Sequence, residues 1–339
     1  MSLALHELPI LGVCGASGSG KTTLIEQSIH LLRDKGLKVG VAKQCPKQLA
    51  IDRPGKDSER FFAAGADLLM MGADGIFARK QPGAGLDYSV ELLAFATQYD
   101  VVLVEGFRHT PGPKVWLLAA GESAPPIDDQ VVACLTRDQD RPQAMDAILD
   151  DFLTRQWLRP TVLGCILIGG KSSRMGRPKQ LLIKDGQTWL QRTAGVLAEV
   201  SQQVVVAGQG DMGDCQLPRI LDVPGCQGPL AGLLAVMRWQ PWATVLACAC
   251  DLPDMTVAAL SWLLEQRAPG VRAVIPKIGD YHEPLLAHYD FRIRPALEAM
   301  ARRDNRRLSN LIGADGVRVL SPPPGLCAAW RNVNSPEMV

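Results

Sequence analysis

The segment GVCGASGSGKTTL, residues 12–24, joins an apolar run to a helical pattern through a loop of glycine and serine. Residues 15–22 of this segment fit the phosphate-binding pattern G-x-x-x-x-G-K-[ST]. The glycines allow consecutive backbone N–H groups to turn toward a phosphate, and the start of the helix adds partial positive charge. A strand, a glycine loop and a helix in this order predict an α/β fold with a phosphate site at the carboxyl edge of a parallel sheet.

The polar residues of this loop have distinct expected roles. Lys21 should reach the β- and γ-phosphates of a nucleotide, and the Thr22 hydroxyl should bind Mg²⁺. The later apolar run YDVVLVEG places Glu105 at the end of a strand, where such sheets carry a metal-linked or water-orienting acid. Thr22 and Glu105 are therefore candidate metal ligands. The predicted nucleotide-binding residues of the loop are Gly15, Gly18, Gly20, Lys21, Thr22 and Thr23.

The pattern of strands and helices restarts near the middle of the 339-residue chain, which is long enough for two domains. The helical pattern RPQAMDAILDDFLTRQWL is followed by a joint at residues 159–161, where Pro160 cannot continue a helix. We therefore expect one domain over 1–158 and a second over 162–339. Alternating strand-like and helix-like runs predict two doubly wound domains with mostly parallel sheets. The expected folds are a P-loop NTPase fold and a Rossmann-like nucleotidyltransferase fold.

Composition limits the classes of function. The formal net charge is +1, which gives no support for broad nucleic-acid or membrane-surface binding. The apolar run from Leu8 to Cys14 is too short to span a bilayer, and the first residues carry no cationic leader, so a cytoplasmic protein is expected. The nine cysteines form no C-x-x-C pair, and buried thiols are the favoured interpretation of Cys248 and Cys250.

A second glycine loop, ILIGGKSSRMGRPK, spans Ile166 to Lys179. Gly169 and Gly170 follow an apolar strand, and the cations after them have no carboxylate among them. The loop is not a Walker A motif, because no Gly-Lys-Ser/Thr closes it. Arg174 can bridge phosphate oxygens with its fork, while Lys179 is a mobile point charge. Such cations suit a triphosphate whose leaving group is pyrophosphate.

Three later segments complete this second constellation. LDVPGCQGPLAG combines small residues and prolines at a strand-to-helix turn that can approach a base edge. CACDLP puts Asp251 at the end of an apolar strand, a usual place for a Mg²⁺ carboxylate. RNVNSPE offers Asn332 and Asn334, whose amide oxygens can bind a metal or a substrate. The basic stretch RRDNRR, residues 302–307, is either a solvated helix end or an anchor for an acceptor phosphate.

The first half resembles the MobB family, the GTP-binding accessory proteins of molybdenum cofactor synthesis, over roughly residues 8–158. The motifs that carry the resemblance are GASGSGKTT, DRPGKDSERFFAAGAD and VVLVEGFRHTPGPK. The resemblance implies GTP binding and slow hydrolysis by an adapter domain. One departure is the stretch KQCPKQLAID, which lacks the histidines that the family often carries there.

The second half resembles the MobA family, the molybdenum cofactor guanylyltransferases, through LIGGKSSRMGRPK, PGCQGPLAG, CDLP and NVNSPE over roughly residues 162–337. The resemblance implies transfer of GMP from GTP to molybdopterin, with Arg174, Lys179 and Asp251 as catalytic residues and Asp251 on Mg²⁺. It also implies contacts with cofactor-synthesis proteins and apo-molybdoenzymes, without nucleic acid or membrane. The implied binding residues are Leu167, Ile168, Gly169, Gly170, Lys179, Asp222, Gly228, Gly232, Asp251, Asn332 and Asn334.

Two alternatives remain open from the sequence. The related cytidylyltransferases of the same cofactor share the SSRMGRPK style of loop and use CTP. The family pattern of the cytidylyltransferases lacks a segment like PGCQGPLAG, so its presence here favours GTP. The second alternative is a GTP-binding adapter whose transferase half is inactive.

Overall fold

The computed structural model describes residues 8–43, 57–73, 75–81, 88–106, 108, 112–125, 130–169 and 178–333. The chain divides into two compact units, Met1–Leu149 and Asp150–Val339. The division falls within the helix that ends the first half of the pattern, ahead of the joint at residues 159–161. The last turns of that helix therefore belong to the second unit.

The first unit alternates strands and helices along the chain. Its elements, with the helix that continues into the second unit, are β1 (Ile10–Gly15), α1 (Lys21–Asp34), β2 (Val39–Lys43), α2 (Asp57–Ala63), β3 (Leu68–Gly72), β4 (Gly75–Arg79), α3 (Tyr88–Ala96), β5 (Val101–Glu105), β6 (Lys114–Leu117), β7 (Val131–Leu135) and α4 (Arg141–Leu158). The main sheet has the order β2-β5-β1-β6-β7, and its paired strands are parallel. The hairpin β3-β4 forms a separate antiparallel pair.

Local sequence explains how this sheet positions the first glycine loop. β1 is buried along its whole length, as expected for a parallel strand covered on both faces. It pairs with β5 so that Val13 lies opposite Glu105, which brings the loop after β1 beside that carboxylate. Helix α1 begins directly after the loop and ends at Asp34. Gly36, two residues later, has a φ of 77° and donates its N–H to the Arg33 carbonyl oxygen, which forms a left-handed cap.

The second unit contains one larger mixed sheet. Its elements are β8 (Val162–Leu167), β9 (Ile183–Lys184), β10 (Gln187–Thr188), α5 (Trp189–Ala198), β11 (Gln203–Ala207), β12 (Arg219–Ile220), α6 (Pro229–Trp239), β13 (Thr244–Ala249), α7 (Val257–Glu265), β14 (Ala273–Ile278), β15 (Tyr281–His282), β16 (Leu286–Tyr289), α8 (Arg294–Arg302) and β17 (Val317–Leu320). The strand order is β12-β11-β8-β13-β16-β14-β15, and β17 pairs with β14.

This sheet has a parallel part and an antiparallel part. β12, β11, β8 and β13 are parallel, whereas β16 is antiparallel to both β13 and β14. From β8 the chain goes first to β11 on one side and later to β13 on the other. The carboxyl end of β8 is thus a topological switch point, where such sheets form a ligand crevice. The predicted α/β class with mostly parallel sheets is confirmed in both units.

Two apolar clusters cover the faces of this sheet, one including α6 and α8 residues and the other including α5 and α7 residues. Within the second unit, Trp157 of the last turn of α4 is fully buried and donates its Nε1 hydrogen to the Val271 carbonyl oxygen at 3.2 Å. Arg267 in turn donates to the Trp157 carbonyl oxygen at 2.8 Å. Among the described residues, no helix combines the length and the apolar character needed to cross a bilayer.

Candidate functional site

The first glycine loop is shaped by close packing against its neighbours. Gly15, Gly18 and Gly20 all have positive φ, which glycine adopts without a side-chain clash. A Cβ on Gly15 would lie 2.5 Å from the Leu117 carbonyl oxygen and 2.8 Å from Ser19 Oγ. Another residue at position 15 would therefore force the loop away from β6.

Charged side chains hold the carbonyl groups of this loop. Lys21 Nζ donates to the carbonyl oxygens of Gly15 at 3.2 Å and Ala16 at 2.7 Å. Arg137 donates to Gly18 O at 3.0 Å, and Arg141 donates to Ser19 O at 2.6 Å. Within the loop, the Ser19 N–H also donates to the Ala16 carbonyl oxygen at 3.2 Å, so side-chain and backbone contacts together fix the loop. The two arginines were not predicted, since nothing in the spacing links them to a loop more than 115 positions away.

Glu105 lies beside the predicted metal-binding threonine. Thr22 Oγ1 donates to Glu105 Oε2 at 3.2 Å, and Lys43 Nζ lies 3.2 Å from Glu105 Oε1. Glu105 is only 14% exposed, although Lys43 is more than half exposed. A hydroxyl and a carboxylate at this spacing are oxygen donors of the kind that Mg²⁺ takes, so these residues fit the metal expected here.

The second site is a pocket of about 350 Å³ at the carboxyl end of β8. It lies at the switch point because β8, β11 and β13 all end there. Eight of the predicted binding residues line it, namely Leu167, Ile168, Gly169, Lys179, Asp222, Gly228, Gly232 and Asp251. The structure thus brings together three segments that are far apart in the sequence.

An ion pair connects two walls of this pocket. Lys179 Nζ lies 2.8 Å from Asp251 Oδ2, and the two side chains are 17% and 16% exposed. Asp251 follows β13, which pairs with β8 so that Ala249 lies opposite Leu167. Lys179 opens a short 3-10 helix after Pro178. The pair places a cation and a carboxylate side by side at the pocket wall.

The donor set beside Asp251 fits a magnesium ion. Asp251 Oδ1 and Asn332 Oδ1 are buried and have no hydrogen-bond partner among the described residues. Their segments are adjacent, since the Val333 N–H donates to the Asp251 carbonyl oxygen at 3.1 Å. The described residues contain no cluster of three or more His, Cys, Asp or Glu side chains that could hold a metal. This agrees with Mg²⁺ sites that take one or two protein oxygens and complete their shell with substrate phosphates and water.

The wall formed by the start of α6 packs tightly on the sheet. A Cβ on Gly232 would meet Leu167 Cδ2 at 3.0 Å and Ala207 Cβ at 3.2 Å. Gly228 precedes α6 with a φ of 73°, and Pro229 occupies the first helical position. Asp222 is half-buried beside this turn, and its burial raises the pKa of its carboxyl group, although Arg219 acts in the opposite direction.

Gln180 and Leu285 line the pocket but were not predicted from the sequence. Gln180 is buried and donates to the Asp211 carbonyl oxygen at 2.8 Å. Leu285 reaches the pocket because its carbonyl oxygen accepts from Ala249 N at 2.7 Å. Two residues earlier, half-buried Glu283 has its pKa raised by burial and, secondarily, by the charge of Asp251. The apolar run PLLAHY predicts a strand, but nothing in it reveals that the strand is antiparallel.

Three predicted residues, Gly170, Arg174 and Asn334, lie outside the described residues.

The two central cysteines follow the expectation of buried thiols. Cys248 and Cys250 are both buried, and burial raises the pKa of Cys250 to about 12 and also raises that of Cys248. Both side chains therefore remain protonated at neutral pH and are poor metal ligands.

Known families match both halves of the chain. The family model of the MobA-like NTP transferase domain matches residues 164–319, and that of molybdopterin guanine dinucleotide synthesis protein B (MobB) matches residues 10–137. A probable molybdenum cofactor guanylyltransferase of Bacillus cereus (strain ATCC 10987 / NRS 248) is 31% identical over 167 residues, which are 47% of this chain and 82% of the relative.

Solved structures also resemble each half. Molybdopterin-guanine dinucleotide biosynthesis protein A from Archaeoglobus fulgidus is 22% identical, with a TM-score of 0.45 over 52% of this chain and 94% of its own. MobB from Bacillus subtilis is 28% identical, with a TM-score of 0.34 over 42% of this chain and 96% of its own. Both TM-scores are below 0.5, so membership follows from the sequence matches. The chain belongs to the molybdenum cofactor guanylyltransferase family through its second half and carries a MobB-family domain in its first half.

Proposed function

We propose that the second unit transfers GMP from GTP to the terminal phosphate of molybdopterin and releases pyrophosphate. An oxygen of the acceptor phosphate attacks the α-phosphorus of GTP, and the bond from that phosphorus to the oxygen bridging the β-phosphorus breaks. The electron pair of that bond leaves with pyrophosphate. The acceptor is already an anion, so no nucleophile from the protein is required. The observation that carries this proposal is the Lys179–Asp251 pair in a pocket at the switch point of the sheet.

Each wall of the pocket has a role in this reaction. The backbone at the end of β8 and just beyond it, from Leu167 to Gly169, approaches the nucleotide closely because Gly169 carries no side chain. Lys179 exchanges its contact with Asp251 for the phosphates and neutralises the charge that develops on the leaving oxygens. Arg174, in the part of the loop that the structure does not describe, remains a predicted partner of Lys179 in this role.

The opposite wall selects the nucleotide. The turn before α6 exposes backbone groups at Gly228 beside the half-buried carboxylate of Asp222, and a carboxylate can accept hydrogen bonds from the N1 and N2 groups of guanine or from ribose hydroxyls. Cytosine lacks the paired N1–H and N2–H₂ donors of guanine. The presence of the segment PGCQGPLAG, which resembles that of the guanylyltransferases, supports GTP as the substrate.

Asp251 and Asn332 would hold Mg²⁺ through the oxygen atoms that have no other described partner. When bound, Mg²⁺ would offset phosphate charge and help to align the α-phosphate. Glu283 lies close enough to Asp251 for the two charges to interact, which raises the pKa of Glu283 beyond the effect of its burial.

The test supplies the full-length protein with molybdopterin and either α-³²P GTP or α-³²P CTP, and follows the label into the pterin product. We expect the label to enter from GTP with release of unlabelled pyrophosphate. Preferential entry from CTP would replace the proposed substrate, and release of labelled nucleoside monophosphate without a labelled pterin would overturn the transfer reaction.

For the first unit we propose GTP binding with slow hydrolysis, which would let this unit act as an adapter in cofactor handover to synthesis proteins and apo-molybdoenzymes. Lys21, Thr22 and Glu105 support nucleotide and metal binding. The test compares GTP hydrolysis by the full chain and by Lys21→Ala without molybdopterin. Hydrolysis faster than GMP transfer in the unchanged protein, lost in the variant, would identify a true GTPase instead of an adapter.

A further inference from the structure

Helix α8 ends in a left-handed turn that is occupied by aspartate instead of glycine. Asp304 has a φ of 53°, and its N–H donates to the Ala301 carbonyl oxygen at 3.1 Å. The next N–H, of Asn305, donates to the Met300 carbonyl oxygen at 2.9 Å. This pair of bonds is the Schellman pattern, in which glycine is the usual residue at the left-handed position. The same pattern ends α1, and there the residue is Gly36.

The aspartate side chain has a specific partner that explains its presence. Asp304 receives a two-pronged contact from Arg306, with Nε to Oδ1 at 2.7 Å and the second amino group to Oδ2 at 3.1 Å. Glycine at position 304 would relieve the backbone but would leave the guanidinium without this support. A residue kept in an unfavourable backbone region is a reason to look for a function.

The remaining nitrogen of the Arg306 guanidinium contacts a residue next to the pocket lining. Its first amino group donates to Gln227 Oε1 at 2.6 Å, across 79 positions of sequence. Gln227 directly precedes Gly228, which lines the pocket. Both Gly225 and Gly228 have positive φ, so this turn contains two positions with few backbone constraints of their own.

Other contacts fix α8 against the far end of α6. Arg238 near the end of α6 makes a two-pronged contact with Glu298, at 2.8 and 2.6 Å. Arg294 donates to the Met237 carbonyl oxygen at 3.2 Å. Helix α8 therefore contacts the last residues of α6 at its own start, while Arg306, just past its end, contacts the turn where α6 begins.

We propose that Arg306, oriented by Asp304, is a positioning residue that fixes the turn around Gln227 and thereby sets nucleotide affinity in the pocket. The inference rests on the proposed function only in taking this pocket as the nucleotide site. Asp304 and Gln227 together engage all three nitrogens of the Arg306 guanidinium, so the side chain is directed at the turn before α6. The sequence of residues 302–307 predicts a solvated helix end or an acceptor-phosphate anchor, and neither prediction includes a contact with the turn before α6.

Asp304→Gly separates this role from a structural one. Glycine suits the left-handed position, so the melting temperature of the variant should equal or exceed that of the unchanged protein. The loss of an oriented hydrogen bond should raise KM for the nucleotide about three- to tenfold, with kcat within about twofold. Asp185→Gly is the matched control, because Asp185 also has a positive φ, of 52°, and lies in the turn between β9 and β10. Its KM should not change.

Variants of Gln227 test the contact from the other side. Gln227→Glu keeps an acceptor for Arg306 and should retain a KM close to that of the unchanged protein. Gln227→Leu removes the acceptor and should reproduce the effect of Asp304→Gly. Because both changes break one chain of contacts, the double variant Asp304→Gly/Gln227→Leu should be no worse than either single variant.

The readouts are GTP and CTP binding by calorimetry without acceptor, and steady-state transfer with molybdopterin. If CTP is the substrate, the proposed function fails while the positioning role is still tested on CTP. A KM change confined to molybdopterin in Asp304→Gly would overturn the positioning role and assign Arg306 to the acceptor. Unchanged nucleotide affinity in both Asp304→Gly and Gln227→Leu would also overturn it.

Discussion

The two glycine loops follow equivalent strands, yet different constraints act on their glycines. A Cβ on Gly15 would enter the space of Leu117 and Ser19, whereas one on Gly169 would meet no described atom within 4 Å. Both residues have positive φ, of 145° and 138°. The first glycine is thus required by packing, whereas no described residue packs against the position of the second. At a pocket wall, a residue without a side chain allows a substrate to approach the backbone closely.

The lysines of the two loops differ in a corresponding way. Lys21 is held by neutral carbonyl groups of its own loop, and Lys179 is held by the carboxylate of Asp251 from another strand. A lysine on carbonyls keeps a largely uncompensated charge for a phosphate, as a binding site requires. A lysine paired with a carboxylate becomes fully available only when another group, such as a metal, occupies that carboxylate. This coupling suits a reaction in which nucleotide and metal arrive together.

The largest expected effect comes from removing the paired lysine. Lys179→Ala should lower the rate of GMP transfer by roughly 100- to 1000-fold, because charge on the leaving pyrophosphate would lose its neutralising partner. The measurement is transfer of label from α-³²P GTP to molybdopterin at saturating substrate. Lys184→Ala, which removes a lysine from exposed strand β9, is the control. Near-normal transfer in Lys179→Ala would refute the clamp role and leave the two lysines functionally alike.

The next effect compares the glycines directly. Gly15→Ala should lower the free energy of unfolding of the first unit by about 2–4 kcal/mol, since the new methyl group overlaps a backbone oxygen and backbone strain is added. Gly169→Ala adds only the backbone strain and should cost the second unit about 1–2 kcal/mol. Proteolytic susceptibility of each unit in the full-length variants provides the measurement. An equal loss in both would mean that packing does not distinguish the loops.

Much of the second site could be predicted because it depends on parallel strands. Lys179 and Asp251 are 72 positions apart, but both follow strands that end at the same edge. A glycine loop after one strand and a carboxylate after another were sufficient to bring them together. Leu285 could not be predicted in this way, because its strand runs in the opposite direction and presents its first residues at that edge.

Hydrogen bonds that link side chains of distant segments could not be predicted from the sequence. The spacing of Asp304 and Arg306 is typical of a solvated helix end, and only the left-handed φ of Asp304 indicates a further constraint. Arg137 and Arg141 likewise support the first loop from a distant segment. Such contacts depend on how the helices pack in three dimensions. The hydrophobic periodicity of a helix shows which of its faces is apolar, but it does not show which distant segment its polar side chains contact.

The last comparison concerns acid sensitivity, for which the second unit has a specific source. His288 is fully buried in the second unit, and burial, helped by Arg267, lowers its pKa to about 3. The unfolded chain binds a proton near pH 6.5 that the native state refuses until about pH 3, so stability falls as pH falls through this window. Between pH 7.5 and 5 the loss of unfolding free energy from this group should be about 2 kcal/mol.

Denaturation followed by tryptophan fluorescence reports mainly on the second unit, which holds six of the seven tryptophans. His288→Gln keeps a partner for Thr244 and should flatten the pH dependence by that amount. An unchanged slope in this variant would place the acid sensitivity elsewhere.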